Sequence, residues 1–119
     1  MTESVTIYHN PRCSKSRETL SLLKDNGVEP NVLLYLETPP DTATLHKLLK
    51  MLGMTSAREL MRQKEDLYKS LNLGDSHLSE EALIQAMVEN PKLIERPIVV
   101  NNGQARIGRP PEQVLEIIG

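Results

Sequence analysis

Hydrophobic and polar positions change period several times along the chain, and each change marks an element. Val5-Thr6-Ile7-Tyr8 is short, β-branched and aromatic, and predicts a strand that His9-Asn10-Pro11-Arg12 breaks. The run from Ser14 to Asn26 predicts a helix, with Leu20 and Leu23 as its apolar stripe and Gly27 just past its end. Val32-Leu33-Leu34-Tyr35-Leu36 shows no alternation, which predicts a parallel strand buried on both faces. Thr38-Pro39-Pro40-Asp41 closes this strand–helix–strand unit, for which a right-handed crossover is expected.

Three helical segments follow. Leu45, Leu48, Leu49 and Leu52 form an i, i+3, i+4, i+7 stripe closed by Gly53. Ser56-Ala57-Arg58-Glu59 is a capping-box pattern that opens a second helix running to about Arg62. Ser79 is placed as the N-cap of a third, with Leu78 and Leu83 set for a hydrophobic staple. Leu83, Ile84, Met87 and Val88 line one face, and Asn90-Pro91 stops the helix. Pro97-Ile98-Val99-Val100 predicts a third strand, and Asn102-Gly103 a tight hairpin into a weaker fourth, Gln104-Ala105-Arg106-Ile107. Pro110-Pro111 opens a final helix whose apolar face is Val114, Leu115, Ile117 and Ile118. The order β-α-β, three helices, β-β-α defines an α/β class, and 119 residues make one domain, 1–119.

Composition narrows the chemistry. The net charge of -2 excludes a basic nucleic-acid arm or a disordered polyanion. Three Tyr with no Phe or Trp predict an aliphatic core and argue against an aromatic stacking surface for single strands, so no nucleic-acid partner is expected. No run approaches the roughly 18 apolar residues of a membrane span, and Met1-Thr2-Glu3-Ser4 lacks a secretory pattern. The single cysteine, Cys13, excludes an internal disulfide, and a cytoplasmic location is the expectation.

Cys13 stands where the loop after the first strand meets the first helix. Unpaired N–H groups and the positive dipole end at a helix start stabilise a thiolate there. His9, Arg12, Lys15 and Arg17 add local basic character, and Ser16 completes a C-x-x-S pattern. A buried structural cysteine is the plainer reading, and its position reverses that preference. His9 reads either as a loop residue or as a positive neighbour or proton acceptor for the thiol. The C-x5-R loop of cysteine phosphatases does not fit, because Thr19 stands where Arg is required. His9, His46 and His77 share no ligand spacing with Cys13, so no metal is expected.

Tyr8-His9-Asn10-Pro11-Arg12-Cys13-Ser14-Lys15-Ser16-Arg17 resembles the Y-H-N-P-x-C-x-x-S-R signature of the glutaredoxin-linked arsenate reductases, the ArsC family. Tyr35-Leu36-Glu37-Thr38-Pro39-Pro40, the Asn90–Val100 block and Arg109-Pro110 resemble further family blocks in the same order. The resemblance implies a thioredoxin-like mixed four-stranded sheet with a helical insertion, about 41–95, between strands 2 and 3. It also implies a cis Arg96-Pro97 peptide opposite the cysteine.

By the same resemblance Cys13 is the nucleophile, with His9 beside it, and Arg62, Arg96 and Arg109 hold the substrate oxyanion. Arg suits that task through its planar fork of donors. From the residues alone, each arginine reads equally as a solvated surface charge. The implied reaction reduces arsenate, or a similar oxyanion, to arsenite. No bound cofactor is expected, and glutathione and glutaredoxin are the implied electron donors. Ser14 and Lys15 stand where the best-known reductases have Gly and Thr, which predicts a narrower and more charged site. Two other readings share the fold. One is a monothiol oxidoreductase acting on glutathione mixed disulfides, and the other an Spx-like regulator that binds RNA polymerase. The missing second cysteine counts against the regulator.

Overall fold

The computed structural model describes residues 5–118, so Met1-Thr2-Glu3-Ser4, read above for a secretory pattern, lie outside it. Four strands form one mixed sheet in the order β2-β1-β3-β4. They are β1 Thr6–Tyr8, β2 Asn31–Leu33, β3 Ile98–Asn101 and β4 Gln104–Ile107. β1 is parallel to β2, with Ile7 opposite Val32, and antiparallel to β3, with Ile7 opposite Val99. β4 returns antiparallel to β3. Asn102 and Gly103 make that return with φ of 53° and 77°, the double left-handed turn that Asn-Gly favours.

The chain divides into two compact units. The first takes residues up to Thr38 and from Arg96 onward; the second is Pro39–Glu95. In the first, helix α1 (Ser14–Asp25) connects β1 to β2. Ile7, Leu23, Val99 and Val114 are fully buried together, with Val5 and Ile117 beside them. Burying each such side chain contributes roughly 1.5–3 kcal/mol. This core is aliphatic, as the composition predicts, and Tyr35 is the one fully buried aromatic among the described residues.

In the second unit, α2 (Thr42–Leu52) starts at Asp41, whose side chain accepts the Thr44 N–H at 2.8 Å. It ends at Gly53, with φ 74°. Leu45, Leu48 and Leu49 are its buried stripe, and Leu52 is half-buried. α4 (Glu80–Glu89) packs against α2 and against a capped 3₁₀ turn, Ala57–Leu60, and buries Leu83, Ile84 and Met87. The capping box at Ser56 and Glu59 is present as read, but it opens this single turn and not a helix to Arg62.

Three other expectations change. β2 is not buried on both faces: it is a three-residue edge strand, and Val32 is 47% exposed. The apolar run continues as a turn from Leu34, which tucks Tyr35 inside. In α1 the buried positions after Cys13 are Ser16, Thr19 and Leu23, while Leu20 is only half-buried. The C-terminal segment Pro111–Ile117 is a 3₁₀ helix, and its buried residues, Pro111, Val114 and Ile117, repeat every third position as that geometry requires. A short helix, α3 (Asp66–Ser70), buries no residue and so leaves no periodic signal to read. No helix is long and apolar enough to cross a membrane among the described residues.

Candidate active site

Cys13 is the N-cap of α1 and is 8% exposed. Its N–H donates to the Asn10 carbonyl at 3.0 Å, and its own carbonyl accepts the Arg17 N–H at 3.0 Å, which starts the helix. The preceding loop is tied at two points. The Arg12 N–H donates to Asn10 Oδ1 and the Asn10 N–H to Ser16 Oγ, each at 3.0 Å. Pro11 has no N–H to satisfy, so the turn leaves few backbone donors stranded.

Burial pushes the Cys13 thiol up, but stabilising contacts outweigh it and the thiol titrates below its ordinary range. These are, in order, the Ser16 backbone N–H, a hydrogen bond and the positive charge from the Arg96 side chain, and the Lys15 backbone N–H. Two of the donors are free N–H groups of the first helical turn, which have no intrahelical partner. Arg96 arrives from the loop before β3. Its peptide to Pro97 is cis, as the resemblance implies, and so is Arg109-Pro110. Arg109 Nη2 lies 3.7 Å from Cys13 Sγ, while its Nε donates to the Arg96 carbonyl at 2.8 Å. The sulfur thus faces two guanidinium groups from two loops, one of which orients the other's backbone.

His9 sits differently from a positive neighbour of the thiol. It is buried, and its Nδ1 pairs with Ser16 Oγ at 2.6 Å. Burial and the charge of Arg17 lower its pKa, so the ring is neutral at pH 7. Ser16 Oγ also accepts from the Asn10 N–H, so one hydroxyl ties the His9 ring to the loop before Cys13. His9 therefore braces the residue whose N–H faces the sulfur. This link crosses seven positions and has no sequence signature beyond the C-x-x-S spacing.

A second unheralded contact lies behind the site. The Gly108 N–H donates to the Pro97 carbonyl at 2.9 Å. A Cβ on Gly108 would meet Thr19 Oγ1 at 2.4 Å and Pro97 Cγ at 2.9 Å. Thr19 is fully buried and donates its hydroxyl to the Lys15 carbonyl at 2.8 Å. Gly108 thus lets the loop carrying Arg109 press against α1.

Arg62 belongs to the second unit. Met61 pairs with Ile94 in an antiparallel bridge, and the Arg62 N–H donates to the Leu93 carbonyl at 2.7 Å. Its guanidinium is a close ion pair of Glu65 and lies 3.7 Å from Glu95 Oε1. Among the described residues, no group of three His, Cys, Asp or Glu is arranged to hold a metal.

The sequence profile of the ArsC family matches residues 8–117. The chain belongs to the ArsC family. YfgD of Escherichia coli K12 is 82% identical over all 119 residues, covering 100% of each chain. A Haemophilus influenzae protein named arsenate reductase is 53% identical over 115 residues, 97% of this chain and 99% of its own. The solved structure titled arsenate reductase from Vibrio cholerae is 64% identical and superposes with a TM-score of 0.97, covering 99% of this chain and 100% of that one. The fold of this ArsC-family chain is accordingly thioredoxin-like, with the four-stranded mixed sheet described above.

Proposed function

We propose that the chain is an arsenate reductase that uses Cys13 as its single nucleophile and takes electrons from an external thiol. The observation that carries this reading is a buried, acidified thiol facing Arg96 and Arg109. A thiolate flanked by guanidinium groups suits attack on a tetrahedral oxyanion, whose charge would otherwise repel it. The named relatives supply the identity of the oxyanion.

In the proposed sequence the Cys13 thiolate attacks arsenic, an arsenate oxygen leaves as water, and a sulfur–arsenic(V) adduct forms. Glutathione then attacks the Cys13 sulfur. The sulfur–arsenic bond breaks and its electron pair stays on arsenic, which departs as arsenite. Two thiols have become one disulfide and arsenic has gained two electrons. The chain has one cysteine, so the mixed disulfide needs an outside partner, for which glutaredoxin is the fitting class. Arg62 is the third proposed anion ligand by the family resemblance, and its guanidinium is paired with Glu65 and Glu95. This chemistry belongs in a reducing, cytoplasmic setting.

The test is arsenate-dependent NADPH consumption in the presence of glutathione, glutaredoxin and glutathione reductase. Cys13→Ser is expected to abolish it, and Arg96→Ala to cut kcat/KM by about 100-fold, the usual cost of removing one charge-stabilising donor. NADPH loss that ignores arsenate but follows a glutathione mixed disulfide would instead establish a monothiol oxidoreductase.

A further inference from the structure

A second recess lies in the same unit as Cys13, and the arsenate chemistry gives it no role. It is an open cavity of about 310 Å³ lined by Lys15, Glu18 and Leu22 of α1 and by Pro110, Pro111 and Glu112. Both walls are chained to the thiol. Lys15 stands two residues after Cys13, and its N–H is one of the groups that lower the thiol pKa. Pro110 directly follows Arg109, whose guanidinium lies 3.7 Å from the sulfur.

The chemistry of the lining is mixed in a specific way. Leu22 and the two proline rings give an apolar floor. Lys15 Nζ and Glu18 Oε2 form an exposed pair at 3.5 Å, and Glu112 adds a second carboxylate. One ammonium and two carboxylates over apolar carbon complement a zwitterion, a group with its own ammonium and carboxylate on a short chain. Arsenate, wholly anionic, is the wrong ligand for a lining whose net charge is negative. The thiol that must reach Cys13 is a candidate of the right chemistry, because small biological thiols carry an α-amino-acid head.

We propose that this cavity binds the amino-acid head of the small thiol that exchanges with Cys13. Lys15 takes the head's carboxylate, Glu112 and Glu18 its ammonium, and the prolines its methylenes. The proposal rests on the external-thiol reading above, but its test needs no arsenate. Thiol–disulfide exchange probes it directly: the Cys13 thiolate attacks one sulfur of a disulfide, the new S–S bond forms, and the other half leaves as a thiolate.

The experiment follows mixed-disulfide formation on the intact chain by mass spectrometry. Three disulfides are compared: oxidised glutathione, cystine, and 2-hydroxyethyl disulfide, which has no charged head. Glu112→Gln is expected to slow exchange with oxidised glutathione by about tenfold, the effect of one lost charge-assisted contact. It should leave exchange with 2-hydroxyethyl disulfide within about twofold, which also shows that the variant is folded and its thiol intact. Glu18→Gln should show the same selective loss. A matching loss with cystine supports recognition of the head alone; a loss confined to glutathione supports recognition that needs the γ-glutamyl spacer. Equal losses with all three disulfides, or no loss with glutathione, would overturn the proposal. An arsenate assay that fails while this selectivity holds rejects the reductase reading and leaves the thiol site standing.

Discussion

At the scale of single residues, the behaviour of Cys13 comes from a competition. Burial favours the neutral thiol, while two helix N–H groups and the Arg96 guanidinium favour the thiolate. The second set wins, so alkylation by iodoacetamide should follow an apparent pKa below that of an ordinary free thiol. Arg96→Ala removes the charged partner and should move that midpoint upward. An unchanged midpoint would mean that the helix end alone sets the thiol. Gly108 makes a separate prediction. Its φ is not what demands glycine; the space is. A methyl at 2.4 Å from Thr19 Oγ1 forces α1 or the Pro97 loop to move. Gly108→Ala should cost about 1–3 kcal/mol, as overpacking does, and should also raise the Cys13 midpoint by displacing the loops around it. Thermal melts and the same alkylation profile check both effects.

At the scale of elements, the β3–β4 hairpin offers a cleaner glycine. Gly103 has φ 77°, and a Cβ added there would meet nothing within 4 Å. Only backbone strain opposes a substitution, so Gly103→Ala should cost roughly 1–2 kcal/mol, while Gly103→Asn should cost less because Asn tolerates this region. Urea midpoints measure the difference. The elements legible in the sequence are those whose signal is local. The α2 stripe, its Gly53 boundary and the Asn102-Gly103 turn each follow from neighbouring residues. β2 misled because Val32-Leu33-Leu34 looks like a buried run, whereas sheet order decides which strand is an edge. The position of Cys13 at a helix start was legible for the same local reason as α2. The His9–Ser16 bond and the Thr19–Gly108 approach were not, because they depend on loop closure and on chain segments far apart in sequence. Arg96 and Arg109 gained a site reading only through family resemblance; their shared direction toward one sulfur is a property of the folded unit.

At the scale of the whole molecule, the shifted groups act together on stability. His9 titrates lower in the folded chain than its free value of about 6.5, so between its folded pKa and that value the unfolded chain binds more protons. Its contribution is therefore complete above about pH 6.5 and is lost as the pH falls through the folded pKa. Cys13 has the same sign one region higher. The folded thiol releases its proton first, so its stabilisation is present above about pH 8.5 and is lost as the pH falls through the folded value. Asp41 and Glu59 are lowered too, Asp41 by the Thr44 N–H and hydroxyl, Glu59 by the hydroxyl and N–H of Thr55 and the N–H of Ser56. Their support disappears in acid, below about pH 4. All four groups slope the same way, so resistance to urea should climb from acid into mildly alkaline solution and not peak near the sequence pI of 5.9. Two variants divide the curve. Cys13→Ser should flatten the rise that ends near about pH 8.5, while leaving the acid limb in place. His9→Gln should flatten the limb just below about pH 6.5 and leave the alkaline rise. A Cys13→Ser curve that keeps its full alkaline rise would show that the thiolate contributes nothing to folding, and that the guanidinium groups facing it are held by the loops alone.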